Sequence, residues 1–214
     1  MSRTSRLCTI LIFASLASCN RGAKSEVTPA EAPPPLLLFA PQRVVLVPTA
    51  RVTFSPTDSL ILEAGTGPAA GKYFDDELLR RLRERGAATD WIVPADLMKA
   101  YERNRTYAQD PYRLAVDAIR QPTFETGQKY GEPLSSQLRT MIALQTDARF
   151  VLVPIELRLY QTGRTRLRVA LLDPRKAESV WVGQIVSDSG SAQTKAGISQ
   201  VARRVVDLFA PPAP

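Results

Sequence analysis

The sequence predicts an α+β fold: a mixed sheet that ends in a C-terminal three-strand antiparallel meander, with helices packed on it. Three observations predict it. Val151, Val153, Ile155, Leu157 and Leu159 alternate strictly with other residues, as do Leu167, Val169 and Leu171, which is the period-two mark of strands. Elsewhere apolar residues recur at helical spacing, as at Phe74, Leu78, Leu79 and Leu82 and again at Ile198, Val201, Ala202, Val205 and Phe209. Between two proline-rich ends lie about 170 residues, the size of one ordinary domain.

The elements follow in order. Residues 44–47 read as a buried strand, and 52–54 with 60–62 as a strand pair around Ser55-Pro56-Thr57-Asp58. The helix through Phe74 and Leu82 stops at Gly86, and its pairs Glu77–Arg81 and Arg80–Glu84 make a charged outer side. Trp91-Ile92-Val93 is a short strand, and Pro94 opens a helix carrying Leu97, Met98 and Tyr101. Asp110-Pro111 is a cap and first turn for a helix through Ile119, and Leu134, Leu138, Met141, Ile142 and Gln145 form the stripe of another.

The meander is the most informative stretch. A three-residue loop, Gln161-Thr162-Gly163, keeps both alternating rows on one face, with Gly163 in the left-handed position. That register sets Glu156 opposite Arg168, Arg158 opposite Arg166, and Tyr160 opposite Arg164. After a turn at Asp173-Pro174-Arg175-Lys176, the strand 179–186 adds Val180, Val182 and Val186 to the core row and puts Trp181 and Ile185 on the other face.

The start of the chain carries a different signal. Arg3 and Arg6 precede an uncharged, mostly apolar run at 7–17, too short for a membrane-spanning helix of ~20 residues. Leu16-Ala17-Ser18-Cys19 follows, and it resembles the lipobox of bacterial lipoproteins. The resemblance implies that 1–18 is a cleaved signal peptide and that Cys19 is lipidated and becomes the first residue. Several acyl chains are needed for durable anchorage at ~0.8 kcal/mol per buried methylene. Asn20, where sorted lipoproteins kept at the inner membrane carry Asp, implies the outer membrane and its periplasmic face. Residues 19–42 then read as a lipidated cysteine and a disordered Pro/Ala-rich tether, with 20–35 the most linker-like part. The folded body is expected at 43–209, and 210–214 as a frayed tail.

Composition excludes much chemistry. The chain has 214 residues, no histidine and two cysteines, and Cys8 leaves with the signal. No imidazole base, Ser-His-Asp triad, disulfide or thiolate metal site is then expected. The net charge of +7 suits anionic lipid or cell-wall polymers, and an exported protein is not expected to meet nucleic acid.

From the opening strand that ends in Val47-Pro48, through Pro94-Ala95-Asp96-Leu97 and Ala148-Arg149-Phe150, to Leu171-Leu172-Asp173 and Val180-Trp181, the order of elements resembles the α/β domain shared by the amino-terminal part of TolB and the lipoproteins CsgG and LpoB. Lys176-Ala177 stands where that group usually has Thr-Gly, residues 104–133 look like an insertion, and no extra hairpins suited to a pore are visible. The resemblance implies a non-catalytic module that binds other envelope proteins.

In Gly65-Thr66-Gly67-Pro68-Ala69-Ala70-Gly71-Lys72 a phosphate loop would need a glycine where Thr66 stands and a Ser or Thr where Tyr73 stands, so a flexible surface loop is expected. Asp75-Asp76-Glu77 are expected at the positive end of a helix rather than around a metal. Ser135 and Ser136 lack a lysine three residues on. No catalytic residue, cofactor or metal site is expected.

Two surfaces remain for partners. Arg158, Tyr160, Arg164, Arg166 and Arg168 form a strip on the non-core face of the hairpin. Tyr107, Tyr112 and Tyr130 lie with Tyr101 and Phe124 in a tyrosine-rich stretch at 101–130. The expectation is an outer-membrane-anchored lipoprotein that binds an envelope protein as an accessory or regulator, with homo-oligomers allowed. The alternative is an auxiliary subunit of a secretion or transport complex.

Overall fold

A computed structural model describes residues 35–54, 67–160, 164–188 and 194–210. Its centre is β3 (Phe150–Leu159), the strand of densest apolar alternation, which pairs on both edges. On one edge lies β4 (Thr165–Asp173), antiparallel, followed by β5 (Glu178–Val186). On the other edge two short strands run parallel to it in succession. β1 (Val44–Leu46) pairs with Phe150–Leu152 and β2 (Val52–Phe54) with Leu157–Leu159. The predicted mixed sheet with its C-terminal meander is present; the expected partner strand at 60–62 lies outside the described residues.

Helices cover both faces. α1 (Gly67–Glu84) and α5 (Thr194–Phe209) lie on one, burying Phe74, Leu78, Leu82, Ile198, Val205 and Phe209 against Leu157, Leu167 and Leu171. α2 (Pro94–Arg103), α3 (Asp117–Arg120) and α4 (Leu134–Ala143) contribute Leu97, Ile119, Leu134 and Leu138 to a second core against Val151, Val153 and Ile155. α1 ends as expected: Gly86 adopts φ 65° and Ala87 N–H reaches back to Leu82 O at 2.9 Å, a left-handed helix stop.

The hairpin has the expected cross-strand register, with Glu156 opposite Arg168 and Arg158 opposite Arg166. Tyr160 N–H donates to Arg164 O at 2.9 Å, and the loop 161–163 lies outside the described residues. The single apolar row is corrected. A bulge between Pro154 and Glu156 adds one residue to β3, and an added residue inverts which face the side chains take. Val151, Val153 and Ile155 therefore face the second core, and Leu157 and Leu159 the first.

The third strand is corrected for the same reason. An irregularity at Leu171/Leu172 pairs Leu172 with Ser179 but Leu171 with Trp181. Trp181 and Ile185 join the first core with Val180, and Val182 turns to the second.

Other corrections are local. Residues 67–72 are not a surface loop but the opening turns of α1. A Cβ on Gly71 would stand 3.2 Å from Val52 Cγ2, and one on Gly67 3.4 Å from the Phe54 ring, so these glycines let α1 lie close on β2. Asp75, Asp76 and Glu77 consequently sit beyond the first turn. Residues 111–113 form a turn in which Asp110 Oδ1 accepts the Tyr112 N–H at 2.9 Å, and only Asp117–Arg120 is helical. Ile92 makes one parallel bridge to Val45 in place of a strand. The body begins before 43: Leu36 is 1% exposed, its N–H donates to Leu208 O at 2.8 Å, and Leu37–Phe39 form a 3-10 turn.

Candidate functional site

The bulge in β3 creates the most distinctive polar feature. Beyond it, Glu156 and Arg158 turn to the face that bears the second core, but past the end of that core. Arg166, Arg168 and Gln184 stand beside them on β4 and β5. The segment after α3 closes the other side. The result is a groove of about 350 Å³ lined by Arg120, Gln121, Pro122, Glu156, Arg158, Arg166, Arg168 and Gln184.

Glu156 is the only acidic residue of that lining and is 8% exposed. Its carboxylate accepts from Arg158 Nη2 at 3.2 Å to both oxygens and from Thr53 Oγ1 at 3.1 Å. Arg120 Nη1 stands 3.6 Å away. One buried carboxylate thus holds two half-exposed guanidiniums in place, and the groove keeps a surplus of positive charge. Arginine has five N–H donors in a fixed plane, a geometry that matches the paired oxygens of a carboxylate or phosphate.

The strip expected from the sequence divides three ways. Arg158 and Arg166 line the groove, the latter with its Cζ 5.3 Å from the Tyr160 ring centre. Arg164 is exposed next to the turn. Arg168 is committed to the fold: its guanidinium donates to the main-chain oxygens of Ile119 at 3.4 Å, Gln121 at 2.8 Å and Phe124 at 2.5 Å. Burial lowers its pKa from the usual guanidinium value. Arg120 and Gln184 escaped the sequence reading. Gln184 follows from the β4–β5 register, whereas Arg120 ends α3 between Ile119 and Gln121, whose main-chain oxygens Arg168 holds.

The tyrosines do not share one surface. Tyr107 is 58% exposed with its hydroxyl donating to Asn104 Oδ1, and Tyr112, 51% exposed, borders a different groove beside Lys72 and Asp75. Tyr130, expected on the surface, is 5% exposed and packs with Phe124 in the second core. The apolar content of 104–133 explains this: Leu114, Val116, Ile119 and Phe124 need cover of their own.

The acidic triplet separates as well. Asp75 receives Thr49, Asp76 pairs with Lys72 at 2.6 Å, and Glu77 binds Arg80, Arg81 and Ser199. Among the described residues no three Cys, Asp or Glu side chains gather as a metal site, and no helix is long and apolar enough to cross a membrane.

No family model matches the chain, and no curated protein matches it. Solved structures similar to it in fold include the LpoB C-terminal domain from Salmonella enterica, at 16% identity and a TM-score of 0.37, over 68% of this chain and 82% of that one. A PelC dodecamer from Paraburkholderia phytofirmans is 19% identical at a TM-score of 0.39, over 83% and 93%. A hypothetical protein from Chlamydia trachomatis is 12% identical at 0.36, over 78% and 97%.

Proposed function

We propose that the chain is a lipid-anchored protein of the bacterial envelope that works by binding and not by catalysis. In this reading residues 1–18 direct export, Cys19 carries the acyl chains at the periplasmic face of the outer membrane, and the stretch up to Pro35 spaces the body from the bilayer. The body docks an acidic segment of an envelope protein, as an accessory or regulator of that assembly. The observation that carries the reading is the arginine groove, in which planar donors are already arrayed around one carboxylate and offer further paired N–H groups to another. The tether confines the body to a thin shell above the membrane, so a weak contact is still occupied.

In-cell crosslinking of the anchored protein followed by mass spectrometry tests it. Reversing Arg164 and Arg166 to Glu turns two positive charges at and beside the groove negative, opposing those of Arg158 and Arg120, and leaves Arg168 to hold its segment. The expected result is loss of the crosslinked partner from a variant that remains folded. Unchanged crosslinks in that variant overturn the groove as the docking face. A Cys19→Ser variant that still floats with membranes overturns the anchor.

A further inference from the structure

The body carries one apolar feature that its own core does not use. Leu38 is 79% exposed and Leu37 39%, and among the described residues the other exposed large hydrophobic side chains are two tyrosines, whose hydroxyls suit water. The leucines are not at a frayed end. Leu36 is buried and bonded to Leu208, Phe39 meets Phe150 edge-on at 5.0 Å, and Gln42 Nε2 donates to Leu38 O at 2.9 Å. A turn clamped on both sides holds two leucines out into solvent.

Their place in the chain says what covers them. They stand immediately after the stretch that joins Cys19 to the body, so even a fully extended chain keeps them within about 70 Å of that cysteine. Next to them, Phe39 shares a recess with Arg149, Lys176 and Glu178. Arg149 is half exposed although paired with Asp173, and Lys176 is exposed. Exposed leucines beside long side chains whose charged heads stay in water match a bilayer interface, with leucine at acyl-chain level. The recess itself is charge-balanced, Arg149 and Lys176 against Asp173 and Glu178.

We infer that Leu37 and Leu38 seat the body on the same lipid surface to which Cys19 ties it. The inference rests on the lipid-anchor reading above. It also orients the groove. Phe150, against which the clamped turn packs, is the first residue of β3, whereas Arg158 lies eight residues on, about 26 Å along the strand, and on the opposite face of the sheet. A body seated on its leucines turns the arginine groove away from the membrane, toward a partner.

The test uses the lipidated protein reconstituted in phosphatidylethanolamine/phosphatidylglycerol vesicles. With Cys8 removed and Cys19 acylated, Leu38→Cys supplies the only free thiol for an environment-sensitive nitrobenzoxadiazole label, and Tyr107→Cys serves as the control. The expected result is a blue-shifted emission at position 38 that nitroxide-labelled acyl chains quench, with neither effect at 107. Vesicle flotation without quenching at 38 overturns the seat while the anchor stands. A blue shift that nitroxides leave untouched, with crosslinks between copies, assigns the leucines to a second copy and overturns it too. Failure to float overturns the anchor, and the seat falls with it.

Discussion

Asp75 on α1 accepts the Thr49 hydroxyl at 2.6 Å and the Thr49 N–H at 3.1 Å to each carboxylate oxygen. The contact closes the gap between β1 and β2. There Pro48 has no N–H to give, and the main chain re-engages β3 through Ala50 N–H to Pro154 O at 2.9 Å and Leu157 N–H to Arg51 O at 2.9 Å. Without Asp75 the Thr49 donor would be left unpaired, at a cost of about 1–3 kcal/mol.

Burial has a titration consequence at this site. It pushes the Asp75 carboxyl up to about 7, against the opposing pull of the Thr49 hydrogen bonds. A raised folded-state pKa means the native chain holds a proton that the unfolded chain releases near 4. The resulting stability is fully present below about pH 4 and is lost as pH rises through 7. Asp75→Asn keeps an acceptor for the Thr49 N–H and has no charge to bury. Thermal melts should therefore show the variant gaining on the wild type between pH 5 and pH 8, by on the order of 2 kcal/mol. A constant difference across that range would show that Asp75 does not titrate with folding.

Glu77 behaves in the opposite sense. Arg80, Ser199 and Arg81 hydrogen-bond its carboxylate and hold it down to about 2 despite some desolvation. Ser199 Oγ stands 2.6 Å from Glu77 Oε1, and Arg81 Nη2 is 2.9 Å from the same hydroxyl, which ties α1 to α5. A depressed folded-state pKa gives stability that is present above about 4.5 and is lost as pH falls toward 2. Glu77→Gln should cost roughly 1–2 kcal/mol at neutral pH, and denaturant melts of the variant and the wild type should converge near pH 2.

The turn between β4 and β5 offers a stabilising substitution. Ala177 sits at φ 50° and its carbonyl accepts the Tyr130 N–H at 3.0 Å. A left-handed backbone costs an L-residue about 1–2 kcal/mol, and glycine returns part of that gain as chain entropy. Ala177→Gly should raise stability by about 0.5–1 kcal/mol, a Tm increase of about 2 °C for a chain of this size. An unchanged or lower Tm would mean that the turn is held by contacts the alanine methyl makes.

The helices α1, α2, α4 and α5 and the hairpin register were legible because each rests on a local period or on a turn length. The facing of the strands was not, because a single bulge reverses every residue beyond it. Pro154 was the available signal in β3: a proline inside a central strand has no ladder N–H and marks a bulge. In β5 the cause is remote. Ser179 is turned to serve the segment 125–128, with its hydroxyl donating to Glu125 O at 2.7 Å and its N–H to Gln128 O at 2.9 Å, and no spacing within the strand announces it. The groove depends on the first of these shifts. With an unbroken row, Glu156 and Arg158 would keep the register the sequence predicts without standing beyond the edge of the apolar cover.

Glu156 supports the last prediction because its effects on stability and on binding have opposite signs. Its carboxylate holds Arg158 and Thr53 and faces Arg120, so Glu156→Gln weakens charge-assisted contacts and should lower stability by about 1–2 kcal/mol, the arginines being partly solvated. The same change removes the one negative charge in the groove lining and frees Arg158 and Arg120 to take an outside carboxylate. An Asp/Glu-rich peptide titrated into the full chain should bind the Gln variant more tightly than the wild type, and the gain should shrink as salt is raised. Arg166→Glu should reverse the gain without the stability loss, since Arg166 contacts the Tyr160 ring at the surface. If the Gln variant loses stability and peptide binding together, Glu156 acts as part of the binding surface and not as its internal competitor.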